Sequence, residues 1–175
     1  MIKQFIKYFL YLLILITIGV IYLSYFGVET KRFNQLIKDE VLKTNEKITI
    51  ELEEVKIILN LNDFSIGLKS NDTNLIFENK VINLEKIGIN FSIQPFLKKE
   101  FAIKSILIST KENNFKNIIN LVRTYQNTPQ LFMFDKMIKG GTLIADINLN
   151  FDENGRVNKD YNIKGLVKNA KIGLF

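Results

Sequence analysis

The sequence contains no cysteine, no histidine and no tryptophan, and only two prolines in 175 residues. Each absence closes a chemistry. Without Cys or His there is no Ser-His-Asp or Cys-His nucleophile pair, no Cys/His zinc site and no disulfide. Cysteine usage therefore says nothing about redox compartment. The acidic residues are scattered among turns and outward positions, with no paired spacing suited to general acid–base work. The chain reads as no enzyme, requiring no metal and no cofactor. Lys and Arg number 24 against 18 Asp and Glu, a net charge of +6. This excess is diluted along the chain. Lys31-Arg32 and Lys98-Lys99 are short pairs, so no nucleic-acid partner is expected. The 27 Ile, 21 Lys and 20 Asn suggest AT-rich coding DNA as much as selection for a basic surface.

What is present starts with one long apolar run. From Tyr8 to Val28, 21 residues carry no charge, which as a helix is about 31 Å, the thickness of a bilayer core. Tyr8, Tyr11, Tyr22 and Tyr25 stand towards its ends, where aromatic rings rest at headgroup level. A cleaved leader would have a shorter apolar region and small residues at its end, where this chain has Ser24-Tyr25-Phe26-Gly27. Residues 1–28 are thus expected to be a cytoplasmic tail and a transmembrane anchor. Lys3 and Lys7 before the run are outnumbered by Lys31, Arg32, Lys38 and Lys43 after it, so charge counting leaves the orientation open. Long C-terminal domains translocate largely regardless of such counts. Phe33, Leu36, Ile37 and Val41 recur at helical spacing and predict an amphipathic connector helix over 29–46 that continues the anchor.

Beyond Asn45 the apolar period changes to two. Ile87, Ile89, Phe91 and Ile93 alternate with Gly88, Asn90, Ser92 and Gln94, the pattern of a half-buried strand. The same alternation runs through Ile48–Leu52, Ile57–Leu61, Phe64–Leu68, Leu75 with Phe77, Ile82 with Leu84, Phe101 with Ile103, and Ile147–Phe151. After a turn at Asp152–Gly155 it resumes at Tyr161, Ile163 and Val167. A looser unit occurs four times, at 52–57, 84–89, 103–108 and 167–172: an apolar residue, two mainly polar ones, then apolar residues two apart. It reads either as a bulge that bends the sheet or as a tight turn between separate strands. One helix, 114–127, presents Phe115, Ile118, Ile119, Val122 and Tyr125 on one face, with Asn113 or Asn114 as cap and Thr128-Pro129 as its end. Leu131-Phe132-Met133-Phe134 and Met137-Ile138 form an apolar connector finishing at Gly140-Gly141, a short helix or a loop lying against the same apolar face. The expected fold is mainly β with an N-terminal transmembrane helix: residues 47–175 as a curved antiparallel sheet plus one amphipathic helix.

More than twenty large apolar side chains fall on one face of these strands, and a soluble protein rarely leaves such a face in water. Two arrangements cover it. In one, the sheet folds on itself as a sandwich or barrel, the commoner use of an alternating face, and the protein is a membrane-anchored scaffold or protein-binding module. In the other, the sheet stays open as a β-groove floored by acyl chains. The candidate lining residues are then Ile57, Leu59, Leu61, Phe64, Ile66, Leu68, Phe77 and Leu84 in the first strands. The later strands contribute Ile87, Ile89, Phe91, Ile93, Phe101, Ile103, Ile106, Ile108, Ile147, Leu149 and Phe151. Each buried CH₂ contributes roughly 0.8 kcal/mol, so a 16-carbon chain gains on the order of 10 kcal/mol before ordering costs.

A single N-terminal span, IELEEVKIILN, NLIFENKVINLEKIGINFSIQPFLKKEFAIKSILIS, GGTLIADINLNFDENGRV and YNIKGLVKNAKIGLF together resemble the N-terminal region of the AsmA-like family, the TamB/YhdP type of envelope lipid-transfer protein. Ile87 to Ile108 carries most of the likeness: an alternating strand, Pro95-Phe96-Leu97, the charged turn Lys98-Lys99-Glu100, and a second strand. The resemblance implies a single-pass protein of the bacterial inner membrane with its C-terminal domain in the periplasm. It also implies an apolar β-groove that carries phospholipids toward the outer membrane, in concert with an outer-membrane protein, during envelope biogenesis. Members of the family are commonly much longer, so the chain is expected to continue in a longer parent.

Overall fold

The computed structural model describes residues 2–98, 100, 102–125 and 128–173. Helix α1 (Ile2–Tyr25) stops at Gly27, whose φ of +69° terminates a helix at little cost for glycine. The Phe26 and Gly27 N–H groups both donate back to the Tyr22 carbonyl, at 2.9 and 3.3 Å. A Cβ at Gly27 would stand 2.6 Å from the Ile57 carbonyl oxygen, so the turn also needs glycine for space. The chain leaves it extended, as β1 (Val28–Thr30), and a new helix α2 starts at Asn34 and runs to Thr44. The connector is therefore not a continuation of the anchor over 29–46. Residues 28–30 pair with 55–57 instead.

The remaining strands are β2 (Ile48–Glu51), β3 (Val55–Asn60), β4 (Ser65–Phe77), β5 (Lys80–Ser92), β6 (Ile103–Thr110), β7 (Asn113–Asn114), β8 (Ile138–Asn150) and β9 (Asn162–Ile172). They form one antiparallel sheet in the order β1-β3-β4-β5-β6-β8-β7, with β2 on β4 and β9 on β8. The sheet is open: its outer strands do not meet, and there is no second sheet to make a sandwich among the described residues. β2 and β3 share one edge of β4, pairing with 74–77 and 65–69. Between them, residues 70–73 of β4 have no strand on that side among the described residues. Asp72 takes a φ of +49°, and the Thr73 hydroxyl donates to Ser70 Oγ at 3.1 Å.

Several expected short strands are joined into longer ones by bulges. The register shifts between Leu84 and Lys86 and between Asn90 and Phe91, and again twice along the β8–β9 pairing near Gly140. Three of the four repeated units are thus bulges, which bend and twist a sheet. The fourth, at 52–57, is neither a bulge nor a tight turn: residues 52–54 bend away between β2 and β3, which pair with β4 in the same direction and register on either side. Ile93 leaves the strand pattern and opens the short helix α3 (Ile93–Leu97), its N–H taken by the Phe64 carbonyl at 3.0 Å. The amphipathic helix α4 spans Phe115–Tyr125; Gln126 and Asn127, the end of the expected 114–127 helix, lie outside the described residues. Thr128-Pro129 starts helix α5 (Pro129–Met137), as the Thr128 hydroxyl accepts from the Leu131 N–H and Pro129 needs no donor at the first position. Gly140 and Gly141 sit inside β8, not at the end of a loop.

Candidate functional site

Pairing registers place the large apolar residues on one face. Ile57, Leu68, Ile89, Ile106 and Leu149 stand on successive strands at one level; Leu59, Ile66, Phe91 and Ile103 stand at the next. The opposite face carries Asn90 and Ser105 at these levels, joined by a 2.8 Å hydrogen bond from Asn90 Nδ2 to Ser105 Oγ. Alternation of side chains across a strand produces this division.

The two ends of the apolar face differ. At the end away from α1, the face is closed by α2, which packs on β2, and by α4, which packs on β8, β5 and β7. Ile48, Ile50, Phe77, Ile82, Leu84 and Ile119 are fully buried there. Asn113 locks this end: it accepts from the Asn83 N–H at 2.7 Å and donates to the Asn83 carbonyl at 2.8 Å. Towards α1 the cover thins: Leu68, Ile87, Ile89 and Phe91 face α2 only across a hollow. Ile57, Leu59, Ile66, Leu68, Ile87, Ile89, Phe91, Ile103, Ile106, Ile108, Ile147 and Leu149 are half-buried.

Where the two regions meet, an apolar hollow of about 340 Å³ opens between α2 and the sheet. Leu36, Ile37 and Val41 form its helical wall, and Ile50, Val55, Leu68, Ile87, Ile89 and Phe91 its floor. Pockets for small ligands begin at about this size. A larger hollow of about 920 Å³ lies near residues 52–54, but its walls are mixed charges, including the Lys56–Glu29 and Lys31–Glu54 pairs at 3.3 and 3.6 Å. It offers no apolar floor.

The expected lining residues thus divide. Those on the half-buried strip share one surface with the hollow. Phe77 and Leu84 are instead core, sealed beneath the helices. Leu61 and Phe64 lie in the β3–β4 turn, exposed, and Ile93 lies on α3. Phe151 comes after β8 in a single bridge to Val157, and Phe101 lies outside the described residues. The α2 wall is absent from the expected set, although the helical spacing of Leu36, Ile37 and Val41 marks that face as apolar. Four charged groups at exposed positions are drawn from their ordinary titration ranges by ion pairs and hydrogen bonds. The Lys104 ammonium, then the Ser65 hydroxyl, hold the Asp63 carboxyl below its usual range. Lys47 does the same for Glu78, and Thr142 followed by Lys168 for Glu112, while Asp72 raises Lys111. No group of three or more metal-ligating side chains occurs among the described residues.

Lys3–Tyr25 is long and apolar enough to cross a membrane, and the body of this helix is not buried against the sheet. Comparison with protein-family models, with curated proteins and with solved structures finds no match for the chain.

Proposed function

We propose that this chain is a membrane-anchored lipid-handling protein of the AsmA-like kind. In this reading α1 crosses the bacterial inner membrane once and the sheet stands in the periplasm. A phospholipid acyl chain lies along the half-buried strip and ends in the hollow under α2, on its way toward the outer membrane and a receiving protein there. The observation that carries the reading is the asymmetry of the apolar face: the protein's own helices bury one end, while the other is only half-buried and opens into the hollow under α2. A charged headgroup stays outside that strip, because a charge moved onto an apolar floor loses its hydration.

Site-specific photo-crosslinking in the full chain, reconstituted with phospholipid, tests this. A crosslinker at Phe91 is expected to give lipid adducts, and one at Asn90, the next residue on the other face, hardly any. Equal labelling at the two sites removes the groove. A second reading, a scaffold that binds protein by strand addition, is favoured by β9, which is exposed along all 11 residues and has no strand on one edge among the described residues. It predicts protein adducts along β9 and no lipid at Phe91.

A further inference from the structure

Resting on the reading of α1 as a membrane span, we propose that the end of the sheet nearest α1 is a bilayer-contact edge, formed by Leu61 and Phe64 of the β3–β4 turn and Leu97 of α3. These side chains are 42%, 72% and 76% exposed. Single exposed apolar residues are ordinary; three on adjoining loops at one end of a sheet call for a neighbour. The loops adjoin because the Ile93 N–H, at the start of α3, donates to the Phe64 carbonyl.

Position identifies that neighbour. Asn60, Leu61 and Asn62 border a cleft whose other wall is Ser24 and Tyr25, the last turn of α1. A 24-residue helix is about 36 Å long, a little more than the roughly 30 Å hydrocarbon core, so this last turn stands at the membrane surface. Tyr22 and Phe26 stack there at 5.3 Å, as interfacial aromatics do. Whatever membrane α1 crosses therefore lies beside the β3–β4 turn, and the tether keeps it there at high effective concentration.

The turn is built to hold its shape. Phe64 has a φ of +46°, a conformation that is strained for an aromatic residue. Asp63 is fixed from two sides, accepting from Ser65 Oγ at 2.8 Å and from Lys104 Nζ at 2.7 Å. The half-buried strip ends at this edge, with Leu59, Ile66 and Phe91 the levels next to it. Contact with the bilayer would put the mouth of the strip against lipid, so that an acyl chain enters without crossing water.

The absence of cysteine makes single-cysteine labelling direct. The full chain is placed in nanodiscs of phosphatidylethanolamine and phosphatidylglycerol as Leu61→Cys, Leu97→Cys, Leu15→Cys or Phe134→Cys. Each variant carries a fluorophore quenched by nitroxide lipids labelled near the headgroup or deep in the acyl chain. Phe134 is 55% exposed on α5 at the far end of the sheet and controls for stickiness alone. Positions 61 and 97 are expected to be quenched several-fold more by the shallow label, position 15 by the deep label, and position 134 by neither. Absence of quenching at 61 and 97 overturns the edge, whatever happens at 15. Quenching at 134 equal to that at 97 also overturns it, since hydrophobicity and not placement would then be responsible. Quenching at 61 and 97 without quenching at 15 supports the edge and removes the span, so the two failures are distinct.

Discussion

At the scale of residues, conformation at a few positions decides where elements begin and stop. Gly27 separates α1 from β1, and Pro129 opens a helix where the sequence suggested the close of one. The break at Gly27 was not legible, and the helix after Pro129 was one of two readings of the connector, because Gly and Pro mark a boundary without saying on which side the structured element lies. Asp63 supplies a prediction. Its carboxyl is held below the ordinary aspartate value of 3.8, so the brace on the β3–β4 turn is complete above that range. It is lost as pH falls through the lowered value. The Phe64 amide resonance, monitored through an acid titration, should shift only below the ordinary range. In Lys104→Ala, which removes the largest cause of the lowering, the transition should move up towards 3.8.

At the scale of elements, the alternation of Ile, Leu and Phe with Asn, Ser and Lys located most strands and their apolar face, but not β1, β7 or the first half of β8, and it extended strands to Phe64 and Ile93. Ile66, Phe91 and Ile103 were put on one surface by period alone, and the pairing registers do the same. The alternation could not tell a buried apolar residue from a half-buried one. Phe77 and Leu84 share the pattern of Ile66 and Ile106, and the close packing of α2 and α4 is what separates them. Stability and lipid occupancy should therefore separate along the sheet. Ile82→Ala, in the closed part, is expected to cost about 2–5 kcal/mol in denaturant unfolding. Ile89→Lys, on the half-buried strip, should leave the thermal midpoint within a few degrees and sharply reduce co-purifying phospholipid in mass spectrometry, since a lysine can snorkel to water there but displaces the acyl chain.

At the scale of the whole molecule, mostly neighbouring strands pair, which is why a reading of successive hairpins reached the architecture. Its openness was one of two arrangements that the pattern allowed, and a single sheet with unjoined outer strands settles which of them the chain adopts. Non-local details stayed hidden in the sequence: the sharing of β4 by β2 and β3, the return of β1 to β3, and the uneven cover over the apolar face.

The vacant stretch at 70–73 on the rim of β4 divides the molecule mechanically. Among the described residues the ladder pairs β2 only with 74–77, helped by the Lys47–Glu78 ion pair beside it, and α2 rests on β2, so this pair forms a flap at the sheet edge. Locally unfolding units are drawn from parts with few cross-links. Amides of 34–51 should then exchange with deuterium together, and well before those at the centre of the β4–β5 ladder. Because α2 also walls the hollow, each lifting of the flap would vent that chamber, and exchange over 34–51 should slow when a lipid tail fills it.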